Sequence, residues 1–155
     1  MAHAPVAHPE AHGAHHAEPN FWSKYVFSTD HKMIAMQYMF TGMFMALIGG
    51  FMAYTFRMQN GFPGVSVPGF GMVGPNEYNA LVTNHGTIMI FWVAMPVLVA
   101  AFGNFLIPLM LGCDDMVFPR TNRLSYQIFL LSSLVLIASL FVPGGAFGGA
   151  WTAYP

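Results

Sequence analysis

From Tyr78 to Gly112 the chain reads YNALVTNHGTIMIFWVAMPVLVAAFGNFLIPLMLG, and no Asp, Glu, Lys or Arg interrupts it between Glu77 and Asp114. A helix rises ~1.5 Å per residue, so about 20 such residues cross the hydrocarbon of a bilayer. This stretch reads as a membrane span. It holds a histidine, His85, near one end and an asparagine, Asn104, near the other. Both side chains are expensive inside a membrane unless something satisfies them, which makes each a candidate functional position.

The rest of the chain has the same economy of charge. Hydrophobic residues make up 55% of the sequence and charged residues 7%, against roughly 25% charged in a soluble domain. A length of 155 residues leaves room for one membrane domain and no large soluble core. With a net charge of -1 and five Lys and Arg spread along the chain, there is no basic patch for nucleic acid. The single cysteine, Cys113, excludes an internal disulfide and is expected to pack as a small apolar residue near a helix end. Residues 1–20 are rich in Ala, His and Pro without an apolar run, so they read as a disordered, solvated tail rather than a secretory or transit signal. Its histidines, His3, His8, His12, His15 and His16, offer at most loose, adventitious metal binding.

Residues 21–155 form the membrane domain, an all-α protein with expected spans at about 33–56, 78–112 and 124–142. Phe21 to Lys32 sets aromatics beside lysines, as at a membrane interface. Ser28 or Asp30 is positioned to cap the first helix. Gly42, Ala46 and Gly50 recur along that helix as a small-residue face, open to another helix or to a flat ligand. Met58 to Asn76 is Gly- and Pro-rich and reads as a loop, and Cys113 to Arg123 as a short polar turn. Pro143, Gly144 and Gly145 follow the third run. The sequence then stops on Tyr154-Pro155 without a capped element, as an interrupted chain would. Three spans put Lys24, Lys32, Arg120 and Arg123 on the side of the N-terminal tail and only Arg57 on the other. That bias makes the tail side cytoplasmic.

Several residues have two readings from composition and spacing. His85 is either a core histidine bonded to a carbonyl or a ligand of a haem iron or another metal. It lies seven residues into the expected second span, with Arg57 near the same depth at the end of the first. Arg57 either snorkels or pairs with an acidic or carbonyl group of a cofactor. Asp115 is either a solvated turn residue or, with Asn104 eleven residues earlier on the same face if the helix continues, part of a proton entrance. Asn122 adds a further polar group nearby.

At these residues the sequence resembles subunit I of the haem-copper terminal oxidases, in the A-type subclass. The matching pieces are STDHK, Arg57, YNALVTNHGTIMIFW, FGNFLIPLMLGCDDMVFPRTN and the terminal GAWTAYP, in order from Phe21 to Pro155. The resemblance implies the first three of the family's roughly twelve helices, so the chain would be the N-terminal part of that bundle. It makes His85 one axial ligand of a low-spin haem, Arg57 the arginine at that haem's formyl group, and Trp151 the tryptophan packed beside it. It makes Asp115 the entry acid of a proton pathway lined by Asn104 and Asn122. The family often has a second asparagine where Arg123 stands here. The ligands of the high-spin haem and of copper would lie in later helices, so this chain alone is not expected to be active.

The function implied is that of cytochrome c oxidase: electrons pass from cytochrome c through the low-spin haem to a haem-copper centre that reduces oxygen to water with proton pumping. The implied partners are the remaining helices of subunit I, the other oxidase subunits, and cytochrome c or quinol, in what would be the inner membrane of a bacterial cell. Two alternatives stand beside it, a quinol oxidase subunit I and a non-catalytic three-span assembly protein in which His85 is only a core residue.

Overall fold

A computed structural model describes residues 20–142 together with Gly148, Gly149 and Thr152. The His-rich tail and Trp151 lie outside the described residues. Helix α1 spans His31–Gly61. Asp30 caps it, its side chain accepting the Lys32 N–H at 3.0 Å, while the Asp30 N–H donates to Ser28 Oγ at 3.1 Å. Both candidate caps are therefore used, Asp30 on the helix and Ser28 on Asp30. The helix runs beyond Arg57 because Met58, Gln59 and Asn60 bring no breaker before Gly61. The loop expected from Met58 to Asn76 is correspondingly shorter, and ends where Pro75 takes the first helical position.

The second span, Pro75–Leu111, is continuous over 37 residues, but its helix changes pitch. Helix α2, Pro75–Thr87, passes into π-helical turns at Ile88–Ala94 and Pro96–Ala101 before helix α3, Phe102–Leu111. Pro96 has no N–H to donate and its ring crowds the preceding turn. A widened ladder is one way a helix absorbs such a residue. Gly112 then adopts the left-handed conformation, φ 67°, and the Cys113 N–H returns to the Pro108 carbonyl at 3.0 Å. This is a glycine stop, so the helix does not continue to Asp115. Cys113, just beyond it, is exposed rather than packed. Helix α4, Pro119–Ser139, again starts with proline, which moves Arg120, Asn122 and Arg123 out of the expected turn and into a first helical stretch.

Helix α1 packs against α2, both π-helical stretches, α3 and α4. One core cluster gathers Met45, Met52, Leu81 and Ile88 with Val67 and Val73 of the loop. A second gathers Ile34, Tyr38, Ala101 and Tyr126 near the other end. Polar groups join α1 to α4 beside this second cluster. Tyr38 Oη lies 3.0 Å from Ser125 Oγ, which itself donates to the Asn122 carbonyl at 2.7 Å, so Tyr38 is the donor of its pair. Thr41 and Tyr126 hydroxyls pair at 3.0 Å.

Where α1 meets the second span, glycines set the distance. A Cβ on Gly42 would stand 2.8 Å from Val97 Cγ2, and one on Gly49 2.9 Å from Met89 Sδ. Gly50 has nothing within 4 Å. The small-residue face is therefore used for helix packing, in a Gly42–Gly49 register rather than through Gly50. Among the described residues there is no β-strand, and α1 and the second span are long and apolar enough to cross a membrane. Their most apolar stretches are only 28% and 17% buried within the chain, leaving wide faces for lipid or further helices.

Replacing Gly42 by valine overpacks the contact with Val97. It should destabilise the helix pair by about 1–3 kcal/mol, seen as thermal inactivation of the full-length subunit in detergent at a lower temperature. Gly42→Ala should give a smaller shift of the same sign.

Candidate functional site

The close approach at Gly49 bares its backbone carbonyl to the neighbouring helix. His85, half-buried on α2, takes up that exposed acceptor: its Nδ1 lies 2.9 Å from the Gly49 oxygen. A carbonyl can only accept, so Nδ1 carries the proton and donates it. Nε2 is left with its lone pair, the tautomer that a metal ligand needs. The ring is held further by Phe56, edge-to-face at 5.5 Å between centroids. A core histidine bonded to a carbonyl and an iron ligand are thus not exclusive readings, because the same hydrogen bond serves both. The donor set fits a haem iron bound through Nε2.

His85 is ten residues beyond Pro75, deeper than expected because the helix starts earlier. Arg57 is eight residues beyond Gly49 on α1, so its Cα lies about 12 Å along the axis from the level of His85. Its side chain is exposed. Trp151 is outside the described residues. A cleft of about 730 Å³ near the loop, bordered by Met52, Asn76, Asn79 and Asn84, does not include His85.

At the opposite end of the bundle, the start of α1, the end of α3 and the start of α4 converge. Arg123 Nη1 donates to the Phe27 carbonyl at 3.3 Å. Asp115 Oδ1 accepts the Met116 N–H at 2.7 Å and pairs with His31 Nδ1 at 3.0 Å. Asn122 Nδ2 reaches Met116 Sδ at 3.2 Å, so Asp115 and Asn122 meet through Met116. Asn104 is buried on α3 but shares no helix face with Asp115, because the chain turns at Gly112. Their placement at one end comes from the fold of the turn, not from helical spacing.

His31 is the residue that spacing does not reveal. It is only 2% exposed and lies 84 positions from Asp115, and only an antiparallel hairpin of spans brings the two together. The signal available was a histidine at the start of one span and an acid at the end of the next. Partial burial pushes the Asp115 carboxyl up, but the Met116 N–H and the His31 ring outweigh it and hold the group below the ordinary carboxylate value.

A profile of the family described as Cytochrome C and Quinol oxidase polypeptide I matches residues 33–155. The chain belongs to this family, subunit I of the haem-copper oxidases. It is 44% identical over 136 residues to the "Alternative cytochrome c oxidase subunit 1" of Bradyrhizobium diazoefficiens, covering 88% of this chain and 22% of that protein. To cytochrome c oxidase subunit 1 of Thermostichus vulcanus it is 43% identical over 140 residues, 88% of this chain and 24% of that one. To the subunit 1 of Cereibacter sphaeroides it is 35% identical over 176 positions, 97% of this chain and 31% of that protein. The chain therefore spans between about a fifth and a third of the length of these curated relatives. Membership in an integral membrane family of haem- and copper-bearing oxidases accords with the two long apolar helices.

A carboxyl whose folded value is lowered contributes stability that is fully present above its unfolded value and lost as pH falls through the folded one. The infrared carboxylate band that disappears in Asp115→Asn should accordingly persist, during acid titration of the wild-type subunit, to a pH below the ordinary carboxylate value. Titration at or above that value would mean that the His31 and Met116 donors do not hold Asp115 in solution.

Proposed function

We propose that this chain is the N-terminal part of the catalytic subunit of a respiratory terminal oxidase, which takes electrons from cytochrome c and reduces oxygen to water while pumping protons. The observation that carries this reading is the hydrogen bond from His85 Nδ1–H to the Gly49 carbonyl at 2.9 Å. It fixes the ring and leaves Nε2 as the atom that would hold the iron of a low-spin haem. A haem held there supplies a one-electron carrier within the apolar interior. Arg57 on α1 would pair with a polar group at the rim of that haem through its guanidinium, and Trp151, outside the described residues, is the further residue assigned to it. High-spin haem and copper belong to helices beyond this chain.

Three helices cross the membrane in this reading, the third being α4 and the residues just after it. The N-terminus is cytoplasmic, on the bias of Lys24, Lys32, Arg120 and Arg123 against Arg57. The membrane is the inner membrane of a bacterial cell. Asp115 then faces the cytoplasm as the carboxylate that collects protons, and Asn122 and Asn104 line the way inward. Arg123 stands where a second asparagine is frequent in the family, and its bond to the Phe27 carbonyl turns its charge toward the α1 entry rather than along that way. The partners are the remaining helices of subunit I, the other oxidase subunits and cytochrome c. A quinol oxidase is the second reading, since the family description names both donors. The relatives named as cytochrome c oxidases favour the first.

An axial imidazole cannot be replaced by an apolar side chain. In the full-length subunit His85→Ala should abolish the low-spin haem absorbance, and an intact visible spectrum with normal haem content would refute the ligand role. For the proton entrance, Asp115→Asn has the same shape but cannot ionise. It should slow oxygen reduction about 10-fold or more and stop pumping in vesicles with both haem spectra normal. Asp114→Asn should leave both unchanged, and equal behaviour of the two variants would remove Asp115 from the pathway.

A further inference from the structure

The His31 side chain is almost wholly inside the protein, at 2% exposure, whereas the Asp115 side chain it touches is 46% exposed. A buried imidazole is costly unless its polar atoms are used. Here Nδ1 is used, at 3.0 Å from Asp115 Oδ1 and 3.6 Å from Asp30 Oδ1. Nε2 is buried with no partner among the described residues. The ring is thus committed to one task, on its Nδ1 side.

That task is asymmetric on the carboxylate. Oδ1 receives both donors, the Met116 N–H at 2.7 Å and the His31 ring at 3.0 Å. The His31 backbone N–H also acts on this carboxylate, and the side chain still reaches solvent. We propose that His31 is the positioning residue of Asp115, its ring holding Oδ1 while the exposed carboxylate exchanges protons with water at the mouth. This rests on the reading of Asp115 as the proton-entry carboxylate. The ring comes from the first turn of α1, whose cap is Asp30, and the carboxylate from the turn after α3. The hydrogen bond therefore also pins the mouth of the pathway to α1. The other charged groups at this end are Lys24, Asp30 and Lys32 before and on α1, Asp114 on the turn, and Arg120 and Arg123 on α4. Of these, Asp30 is the one that approaches Nδ1 within 4 Å.

Two amides separate positioning from mere filling of space. In His31→Asn the amide nitrogen can stand where Nδ1 does, and in His31→Gln it stands where Nε2 does. Both variants are made in the complete oxidase, and two readouts are taken: proton uptake in vesicles, and the infrared titration of the band that vanishes in Asp115→Asn. The expected result is that His31→Asn keeps uptake and titration close to wild type. His31→Gln should slow uptake roughly three- to ten-fold, the loss of one such hydrogen bond, and shift the Asp115 titration to higher pH, with normal haem spectra. Two variants that both behave as wild type, or that are both equally impaired, overturn the proposal. Asp115→Asn in the same vesicles keeps the failures apart. Normal pumping there would sink the entry reading, whereas the difference in Asp115 titration between the amides is read without reference to pumping.

Discussion

Two backbones approach closely because glycine stands where a side chain would not fit, and much of the molecule follows from that contact. In an apolar medium a carbonyl left without its full complement of donors has no water to turn to. At Gly49 the missing side chain lets a residue on the next helix reach the oxygen, and that residue is His85. The contact is therefore at once packing and chemistry. It sets the helix spacing, satisfies a polar side chain inside the membrane domain, and decides which imidazole nitrogen remains open. The edge-on Phe56 ring completes the clamp from the α1 side.

The two ends of the bundle use different physics. Around His85 the surroundings are apolar, and orientation comes from one backbone acceptor and ring packing. At the other end Asp115 is half in water beside the buried His31, and its orientation comes from charge-assisted hydrogen bonding to His31 and Met116. Between them, hydroxyl pairs such as Tyr38 with Ser125 and Thr41 with Tyr126 tie α4 to α1 without a charge in the apolar interior. Helix α1 packs against α2, α3, α4 and the π-helical turns between α2 and α3, and it carries both the His85 acceptor, at Gly49, and His31. The outward apolar faces of α1 and the second span remain largely uncovered by this chain, as suits one part of a larger helical bundle.

Helices were legible from the uncharged runs, because hydrocarbon tolerates almost nothing else. Their ends were less so. Met58 to Gly61 extends α1 because a polar residue does not end a helix unless a breaker accompanies it, and the Gly-rich signal begins only there. Asn104 and Asp115 were spaced for one helix face, yet Gly112 adopts a conformation that ends the helix, and the spacing argument lost its premise. The glycine register was misread by one position, Gly50 for Gly49, since seven residues of α1 almost complete two turns and return to the face of Gly42, whereas eight overshoot it. His85 stood out as an ionisable group in an apolar run. His31 did not, because its significance comes from a contact across 84 residues of sequence that no local pattern encodes.

The central proposal is that the Gly49 carbonyl fixes the His85 tautomer and so leaves Nε2 as the atom that would bind the iron. Hyperfine spectroscopy of the oxidised low-spin haem in the full-length subunit, with histidine labelled by ¹⁵N at one ring position at a time, tests it directly. Strong coupling to the His85 Nε2, with a weakly coupled Nδ1 that keeps an exchangeable proton, is the predicted result. Strong coupling to Nδ1, or to neither nitrogen of His85, would contradict it.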